Sequence, residues 1–189
     1  MRTYDRAECA VFCKTREQYG GYSNMAAGYP LVVNGLPIRT AEALYQALRF
    51  PSHPEVQREI LDKKSPMAAK MVTKHHRDLT RPDWMEVRVP LMWYSLRVKI
   101  AQHLESFGAL LRASGTMDIV EESHNDDFWG AVARPDGTLV GHNYLGKLLR
   151  QIRTVLADGS LDLRRVPPPP IVGVLLLGEQ LRPIVPPEG

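Results

Sequence analysis

Cysteine is scarce in this sequence, and its two cysteines lie close together near the N-terminus. Cys9 and Cys13 are four residues apart, and neither has further Cys or His residues at zinc-binding spacing. We therefore expect neither a disulfide framework nor a structural zinc site. Both thiols are expected to be reduced.

Long apolar runs and dense charge clusters are also absent. No apolar run approaches the roughly 20 residues of a membrane span, and Asp5 and Glu8 interrupt the region where a signal peptide would have its apolar core. The net charge is +3 and the pI is about 8.9, which permits a nucleic-acid partner without requiring one. These features predict a soluble, cytoplasmic protein without membrane association.

The glycine-rich segment at residues 18–24 lacks the common phosphate-binding fingerprints. Its sequence, Gln-Tyr-Gly-Gly-Tyr-Ser-Asn, contains neither G-x-G-x-x-G nor a terminal Gly-Lys-Ser/Thr. A short β-like run around Val11 and Phe12 precedes it. The segment is predicted to be a loop with aromatic neighbours, and it does not by itself identify a nucleotide-binding fold.

The length and composition predict one globular domain. The chain has 189 residues, of which 44% are hydrophobic and 24% charged, enough for one domain of about 150 residues with a core. Past Asp158 the composition changes and includes four consecutive prolines, 167–170. We predict a domain over residues 1–158 and a Pro-rich C-terminal extension over 159–189. Its apolar run, 171–177, is expected either to add an edge strand or to pack on the domain.

Sequence periodicity predicts helices with short β elements. Asn34-Gly35 between two apolar runs predicts a β-hairpin over residues 30–38. Helical patterns cover residues 40–50, 55–61, 67–74, 84–113 and a stretch after Asn143, which is a candidate cap. Pro90 falls inside the long pattern and predicts a kink or two consecutive helices there.

The helix that begins at Thr40 carries Glu42 in its first turn. The Thr40 hydroxyl is suited to cap this helix. An apolar face at helical spacing is formed by Ala41, Leu44, Tyr45 and Leu48. Taken alone, Glu42 would be a surface carboxylate that complements the helix dipole by about 0.3–1 kcal/mol.

Six motifs, in order, resemble the NADAR superfamily. They span roughly residues 10–156 and read Y-G-x-Y-S-N, A-E-x-x-Y-Q-A, S-P-x-x-A-K, D-W, V-E-x-S-x-x-D-x-F-W-G and G-x-N-x-L-G. This superfamily includes the YbiA-like N-glycosidases and antitoxins associated with DarT-type DNA ADP-ribosyltransferases. The resemblance implies a single, mostly helical α+β domain that hydrolyses N-glycosidic bonds, and the scheme requires no cofactor and no metal.

The resemblance also implies which residues form the site. The family's catalytic glutamate falls on Glu42, and its acidic loop contains Asp126 as a further catalytic candidate. The ordinary family pattern has His after the Glu, whereas this sequence has Ala43. The predicted substrate-binding residues are Tyr19, Gly20, Gly21, Ser23, Asn24, Trp84, Glu121, Trp129, Gly130 and Asn143.

Lys14 distinguishes between substrates, because it makes this sequence resemble the toxin-associated members more than the YbiA-like members. The leading hypothesis is removal of ADP-ribose from guanine in DNA, as an antitoxin to a DarT-type toxin. The alternatives are hydrolysis of riboflavin-pathway ribosylamine intermediates and a non-catalytic ADP-ribose-binding module. A further alternative is association with the toxin through the Pro-rich extension. A monomer is expected.

The chemistry explains why a lysine and carboxylates would be used together. When guanine is modified on its exocyclic amine, the ribose ring can open to an imine, which a neutral Lys14 amine attacks to form a Schiff base. The amine of an ordinary lysine has a pKa of about 10.4, so either desolvation or a nearby base must produce the free amine, and Glu42 is the candidate for the base. Alternatively, Glu42 or Asp126 activates water directly and Lys14 clamps a phosphate.

Overall fold

The computed structural model describes residues 1–186, which form two compact units. Unit 1 comprises residues 1–26 and 103–162, and unit 2 comprises residues 27–102 and 163–186. The strands are β1 Arg2–Tyr4, β2 Cys9–Phe12, β3 Leu31–Val33, β4 Leu36–Ile38, β5 Asp118–Ser123, β6 Ala131–Ala133, β7 Leu139–Gly141, β8 Leu175–Leu176 and β9 Glu179–Gln180. The α-helices are α1 Ala41–Ala47, α2 Pro54–Asp62, α3 Pro66–His75, α4 Trp84–Gln102, α5 Leu104–Ala113 and α6 Tyr144–Asp158. This confirms the predicted α+β class with short β elements.

Unit 1 is built on a five-stranded sheet in the order β1-β7-β6-β5-β2. Strand β5 lies between β6 and β2 and runs parallel to both. The register places Phe12 of β2 beside Glu121 of β5. Helix α6 contacts β5 and α5. Because β2 and β5 are parallel neighbours, the loop that follows β2 and the acidic loop that follows β5 begin at the same edge of the sheet.

Unit 2 is helical and centred on α1, which contacts α2, α3 and α4. The Thr40 hydroxyl accepts a hydrogen bond from the Ala43 N–H at 3.2 Å, as predicted for a cap. Every residue of α1 is buried, not only the expected apolar face. The predicted hairpin is also confirmed, and Asn34 and Gly35 both have positive φ, as a two-residue type I′ turn requires.

The C-terminal segment, residues 163–186, belongs to unit 2 and has its own β elements. Strands β8 and β9 pair with each other, and Val166 forms an isolated bridge with Ile184. Its buried apolar side chains are Leu163, Val166, Val174, Leu176 and Leu181. The apolar run therefore packs on the helical unit, one of the two outcomes expected. The domain boundary after residue 158 stays a prediction, and the last three residues of the extension lie outside the described part.

The position of the helix break differs from the prediction. Helix α4 continues through Pro90, and the chain leaves helical geometry at His103, where φ is −132° and ψ is 40°. Because Pro90 has no backbone N–H, it cannot donate the helical hydrogen bond to the Glu86 carbonyl. Both residues are exposed. The carbonyl left without a helical donor is thus on the side of α4 that water reaches.

Helix α4 buries Lys99, whose side chain is only 1% exposed. Its Nζ lies 4.5 Å from the centroid of the Tyr29 ring. Burial lowers the pKa of Lys99 to about 7. The unfolded chain, with an ordinary lysine pKa, therefore binds more protons than the folded chain between about pH 7 and 10. Deprotonation of Lys99 therefore makes the free energy of unfolding of the protein rise with pH between about pH 7 and 10.

Replacing Lys99 with Met should remove this pH dependence. We expect the unfolding free energy of the parent, relative to Lys99→Met, to rise by about 1.4 kcal/mol per pH unit between pH 7.5 and 9.5. Below about pH 6 the difference should be constant, because both states of Lys99 are then protonated. Urea unfolding of both proteins between about pH 5.5 and 9.5 measures this difference in unfolding free energy. Lys74→Met, at an exposed position of α3, is the control, and an equal slope in both variants would contradict the prediction.

Candidate functional site

The predicted site residues belong to both units. Glu42 and Trp84 lie in unit 2, and the others lie in unit 1. No cluster of three or more His, Cys, Asp or Glu residues within residues 1–186 is arranged to hold a metal ion. No helix of this described part is both long and apolar enough to cross a membrane.

Glu42 is a buried carboxylate in the first turn of α1. Glu42 is 6% exposed. Gln46, one helical turn further on, donates a hydrogen bond from Nε2 to Glu42 Oε1 at 2.8 Å. The simple surface role considered for Glu42 therefore does not apply. A carboxylate that is withdrawn from bulk water and held by a side-chain amide has a fixed orientation, which proton transfer to or from a substrate requires.

Trp84, at the start of α4, is half-buried and makes two aromatic contacts. Its ring centroid lies 5.2 Å from that of Tyr45, and the guanidinium carbon of Arg49 lies 5.3 Å from the Trp84 ring. Arg49 is oriented by a hydrogen bond from Nε to Thr80 Oγ1 at 2.8 Å, and burial lowers the pKa of Arg49. These contacts hold a cation and a flat ring together.

Gln46 and Arg49 were not among the predicted site residues. They follow Glu42 by four and seven residues, which is the spacing of one helical face, although α1 itself ends at Ala47, two residues before Arg49. The helical spacing was therefore the signal that would have found them. Both are polar residues in a segment that is otherwise apolar, which is a second indication of function.

In unit 1, Asp126 organises the acidic loop after β5. Its Oδ1 accepts hydrogen bonds from the N–H groups of Phe128 at 3.1 Å and Trp129 at 2.9 Å. Its own N–H donates to Ser123 Oγ at 3.0 Å. The carboxylate thus closes the turn that presents Trp129, so Asp126 has a structural role besides the catalytic one predicted for it.

The acidic loop is joined to the start of α6 by backbone hydrogen bonds. The N–H groups of residues 142–145 donate to the carbonyls of Asp127, Gly130, Phe128 and Trp129. Phe128 also stacks on Tyr144, with ring centroids 4.5 Å apart. The last two motifs of the sequence therefore form one structural group.

Asn143 corrects one expectation. It occupies the N-cap position of α6, but its side chain makes no capping hydrogen bond. Instead, Oδ1 accepts from the Glu121 N–H at 3.2 Å and Nδ2 donates to the Ile119 carbonyl at 2.8 Å. Asn143 thus ties α6 to β5 beside Glu121. Its predicted role in substrate binding stays a prediction.

Lys14 follows β2 and is exposed, while its backbone is anchored. The Glu17 carboxylate accepts from the N–H groups of both Cys13 and Lys14 at 3.0 Å. Burial raises the pKa of the Cys13 thiol, and the charges of Glu122, Glu17 and Glu121 raise it further, whereas Lys14 lowers it. The carboxylates of Glu17, Glu121 and Glu122 therefore lie near Cys13, and Arg6 pairs with Glu122 at 2.6 Å.

The loop over residues 19–24 forms a fixed turn. Tyr19 stacks on Tyr22 with ring centroids 5.6 Å apart, and the Tyr22 hydroxyl donates to the Leu110 carbonyl at 2.7 Å. Ser23 and Asn24 are buried, and Gly21 is half-buried. Unit 1 therefore holds two groups of predicted residues, one around Lys14 and this turn and one in the acidic loop. The pairing of β2 with β5 joins them.

Two glycines of the site are required by close backbone approach. A Cβ at Gly20 would lie 2.6 Å from the Lys14 carbonyl oxygen and would also collide with the Thr15 backbone. A Cβ at Gly130 would lie 2.5 Å from the Glu121 carbonyl oxygen. Both obstacles are backbone atoms, which a rotamer change cannot move. Gly20 and Gly130 therefore set the positions of Lys14 and Glu121.

Gly20→Ala should destabilise the protein because the new methyl group must displace backbone. We expect a loss of about 1–3 kcal/mol in unfolding free energy. Gly28→Ala is the matched control, since a Cβ there meets nothing within 4 Å and Gly28 has no positive φ. The control should change stability by less than about 1 kcal/mol. Denaturant unfolding compares the two, and equal stabilities would contradict the proposed packing.

Comparison with known proteins identifies relatives across most of the chain. The family model of the NADAR domain matches residues 11–157. N-glycosidase YbiA of Escherichia coli (strain K12) is 36% identical over 146 residues, covering 77% of this chain and 87% of the relative. A riboflavin biosynthesis protein of Vibrio vulnificus is 30% identical over 149 residues, covering 78% of this chain and 38% of the relative.

A solved structure shows the same fold. The NMR structure of the E. coli protein YbiA superimposes with a TM-score of 0.65 at 33% identity, covering 84% of this chain and 94% of that one. The family match includes Lys14, Glu42, Trp84, Asp126 and Asn143. The chain therefore belongs to the NADAR family.

Proposed function

We propose that this protein is an N-glycosidase, which hydrolyses a bond between C1 of a ribose and a nitrogen atom. The observation that carries the proposal is the buried, amide-held carboxylate of Glu42 in a chain that is similar to N-glycosidase YbiA over most of both lengths. Hydrolysis of this bond requires a group that delivers or accepts a proton in a fixed direction. Glu42 is assigned that role.

The substrate class that we propose is guanine in DNA carrying ADP-ribose on its exocyclic amine. The protein would then reverse the action of a DarT-type toxin. Support comes from Lys14, the residue in which this sequence resembles the toxin-associated members. Its anchored backbone and exposed side chain suit an amine that must reach a bulky substrate from the protein surface.

The proposed reaction proceeds by exchange of one nitrogen for another at C1. The guanine nitrogen lone pair expels the ring oxygen of ribose, which takes up a proton and leaves an imine at C1. The neutral amine of Lys14 adds to C1, a proton passes to the guanine nitrogen, and guanine departs as a neutral amine. Water then adds to the lysine Schiff base and releases ADP-ribose and the free lysine, with no net oxidation or reduction.

Proton transfer is the demanding part of this scheme. Lys14 is exposed, so the fold does not withdraw its amine from water, and a base must take the proton before attack. Glu42 is the proposed shuttle, first for the lysine and then for the leaving guanine. In the alternative route, Glu42 or Asp126 activates water and Lys14 holds a phosphate.

The test is direct incubation with an oligonucleotide carrying ADP-ribose on a single guanine. Mass spectrometry should show loss of the adduct, and free ADP-ribose should appear in equal amount. Retention of the adduct together with tight binding of ADP-ribose would identify a binding module instead. Retention without binding would remove the proposed substrate class.

A second candidate substrate class is favoured by the relatives. Proteins of Vibrio vulnificus and Zea mays that match this chain are named riboflavin biosynthesis proteins. The second candidate is therefore a ribosylamine intermediate of that pathway. Parallel assays decide between the two, and the substrate with the higher kcat/KM is the one for which the site is built.

A further inference from the structure

The C-terminal segment lies beyond the family match, which ends at residue 157. Even so, two buried residues, Gln57 and Arg81, bind both this segment and the chain at the end of α1. The first is Gln57 of α2, which is 0% exposed. Its Nε2 donates to the Ala47 carbonyl at 3.0 Å and to the Leu175 carbonyl at 2.8 Å, and its Oε1 accepts from the Leu177 N–H at 2.6 Å.

The second bridge runs through Arg81, which is 8% exposed. Its backbone N–H donates to the Arg49 carbonyl at 3.1 Å, two residues beyond the end of α1. Its Nη2 donates to the Val172 carbonyl at 3.0 Å. Asp83 holds the same guanidinium in place with both carboxylate oxygens. Arg81 therefore repeats the arrangement of Gln57, with α1 on one side and the C-terminal segment on the other.

Helix α1 is short, so its stability depends on contacts with the rest of unit 2. It has only seven residues, and a helix of two turns is not stable by itself in water. The Ala47 carbonyl at its C-terminal end accepts from the Phe50 N–H at 3.0 Å and, as a second donor, from Gln57 Nε2 at 3.0 Å. Glu42 lies at the other end of the same short helix, and Arg49, which contacts Trp84, lies two residues beyond its end. A change at the end of α1 would therefore alter the orientation of Glu42 and the Arg49–Trp84 contact.

We propose that the C-terminal segment, through Gln57 and Arg81, holds α1 in the position that Glu42 needs for proton transfer. Gln57 and Arg81 are positioning residues in this account, and they act through the backbone of α1. The inference rests on the proposed function for its kinetic consequence. Its structural consequence, the coupling between the segment and α1, is tested independently of any activity.

The test compares Gln57→Leu with Asn34→Gly in the full chain. Leu keeps the size of Gln57 and removes all three hydrogen bonds. Asn34 binds the same segment at two points, from Nδ2 to the Gln180 carbonyl and from the Arg182 N–H to Oδ1, but it lies in the β3–β4 turn and not at α1. Glycine tolerates the positive φ of Asn34, so this control loosens the segment elsewhere without straining the turn.

Amide hydrogen exchange gives the first readout. We expect exchange across residues 41–49 to accelerate by about 10-fold or more in Gln57→Leu and to stay within twofold of the parent in Asn34→Gly. Arg81→Met, which removes the bond to Val172 and keeps its own backbone N–H, should also accelerate exchange there. It serves as the test if Gln57→Leu does not fold. Unchanged exchange in a folded Gln57 or Arg81 variant would overturn the proposal.

Kinetics on the substrate that the parent hydrolyses gives the second readout. Gln57→Leu should lower kcat by about 10-fold or more with KM within threefold, because a misplaced proton-transfer group impairs the chemical step more than binding. Asn34→Gly should keep the parental kcat. Equal loss of kcat in both variants would indicate general destabilisation and overturn the inference. If the parent hydrolyses no N-glycoside, the proposed function fails, whereas the exchange result still decides the coupling.

Discussion

Glu42→Gln should lower turnover by about 10²- to 10⁴-fold while the protein remains folded. The amide cannot accept or deliver the proton, but its oxygen can still accept the hydrogen bond that Gln46 donates at 2.8 Å. Burial of a neutral amide in place of a carboxylate removes a desolvation cost, so stability should not fall. The measurement is kcat on the substrate that the parent hydrolyses, together with a denaturant unfolding curve.

Glu86→Gln is the matched control for this variant. Glu86 also lies in the first turn of a helix, α4, but it is exposed. The same substitution there should leave kcat within about twofold of the parent, because solvated helix charges contribute little beyond a small dipole term. If Glu42→Gln and Glu86→Gln both retain parental turnover, Glu42 is not the acid-base group, and Asp126 becomes the candidate.

The fold could be predicted where one local signal determined one local structure. The Asn34-Gly35 turn and the Thr40 cap each depend on neighbours in the sequence, and each is present. Two consecutive helices meeting at Pro90, one of the two outcomes predicted, are not found, because α4 continues through this residue. The effect of a proline depends on whether the carbonyl that it leaves without a helical donor faces solvent. That is a property of packing, which helical periodicity alone does not contain.

The site was harder to predict, because motif order indicates which residues belong to it but not the contacts that each of them makes. Motif order identified Asp126 and Asn143, but not that Asp126 closes its own turn or that Asn143 binds two backbone groups of β5. The role of Gln57 as a bridge depends on Leu175 and Leu177, 118 and 120 residues away. No pattern within one segment indicates so distant a partner. The spacing of Gln46 and Arg49 from Glu42, by contrast, is a local pattern from which these two residues could have been predicted.

Lys14 carries the second large prediction, a covalent intermediate. When the parent reacts with the guanine adduct in the presence of cyanoborohydride, the Schiff base should be reduced to a stable secondary amine. Peptide mapping should then find ADP-ribose on Lys14. Lys14→Ala should give no adduct and lower turnover by about 10³-fold or more, since no other group takes over the attack on C1. Lys74→Ala, at an exposed position of α3, should react like the parent.

Lys14→Arg separates the nucleophile from the phosphate clamp. Arginine keeps the positive charge and binds phosphate at least as well as lysine, but its guanidinium stays protonated and does not attack an imine. If Lys14 is the nucleophile, Lys14→Arg should be as inactive as Lys14→Ala. If Lys14 is a clamp, Lys14→Arg should keep most of the parental kcat/KM and no variant should be trapped. Water activated by Glu42 or Asp126 would then perform the displacement, and the buried position of Glu42 would be used for that step.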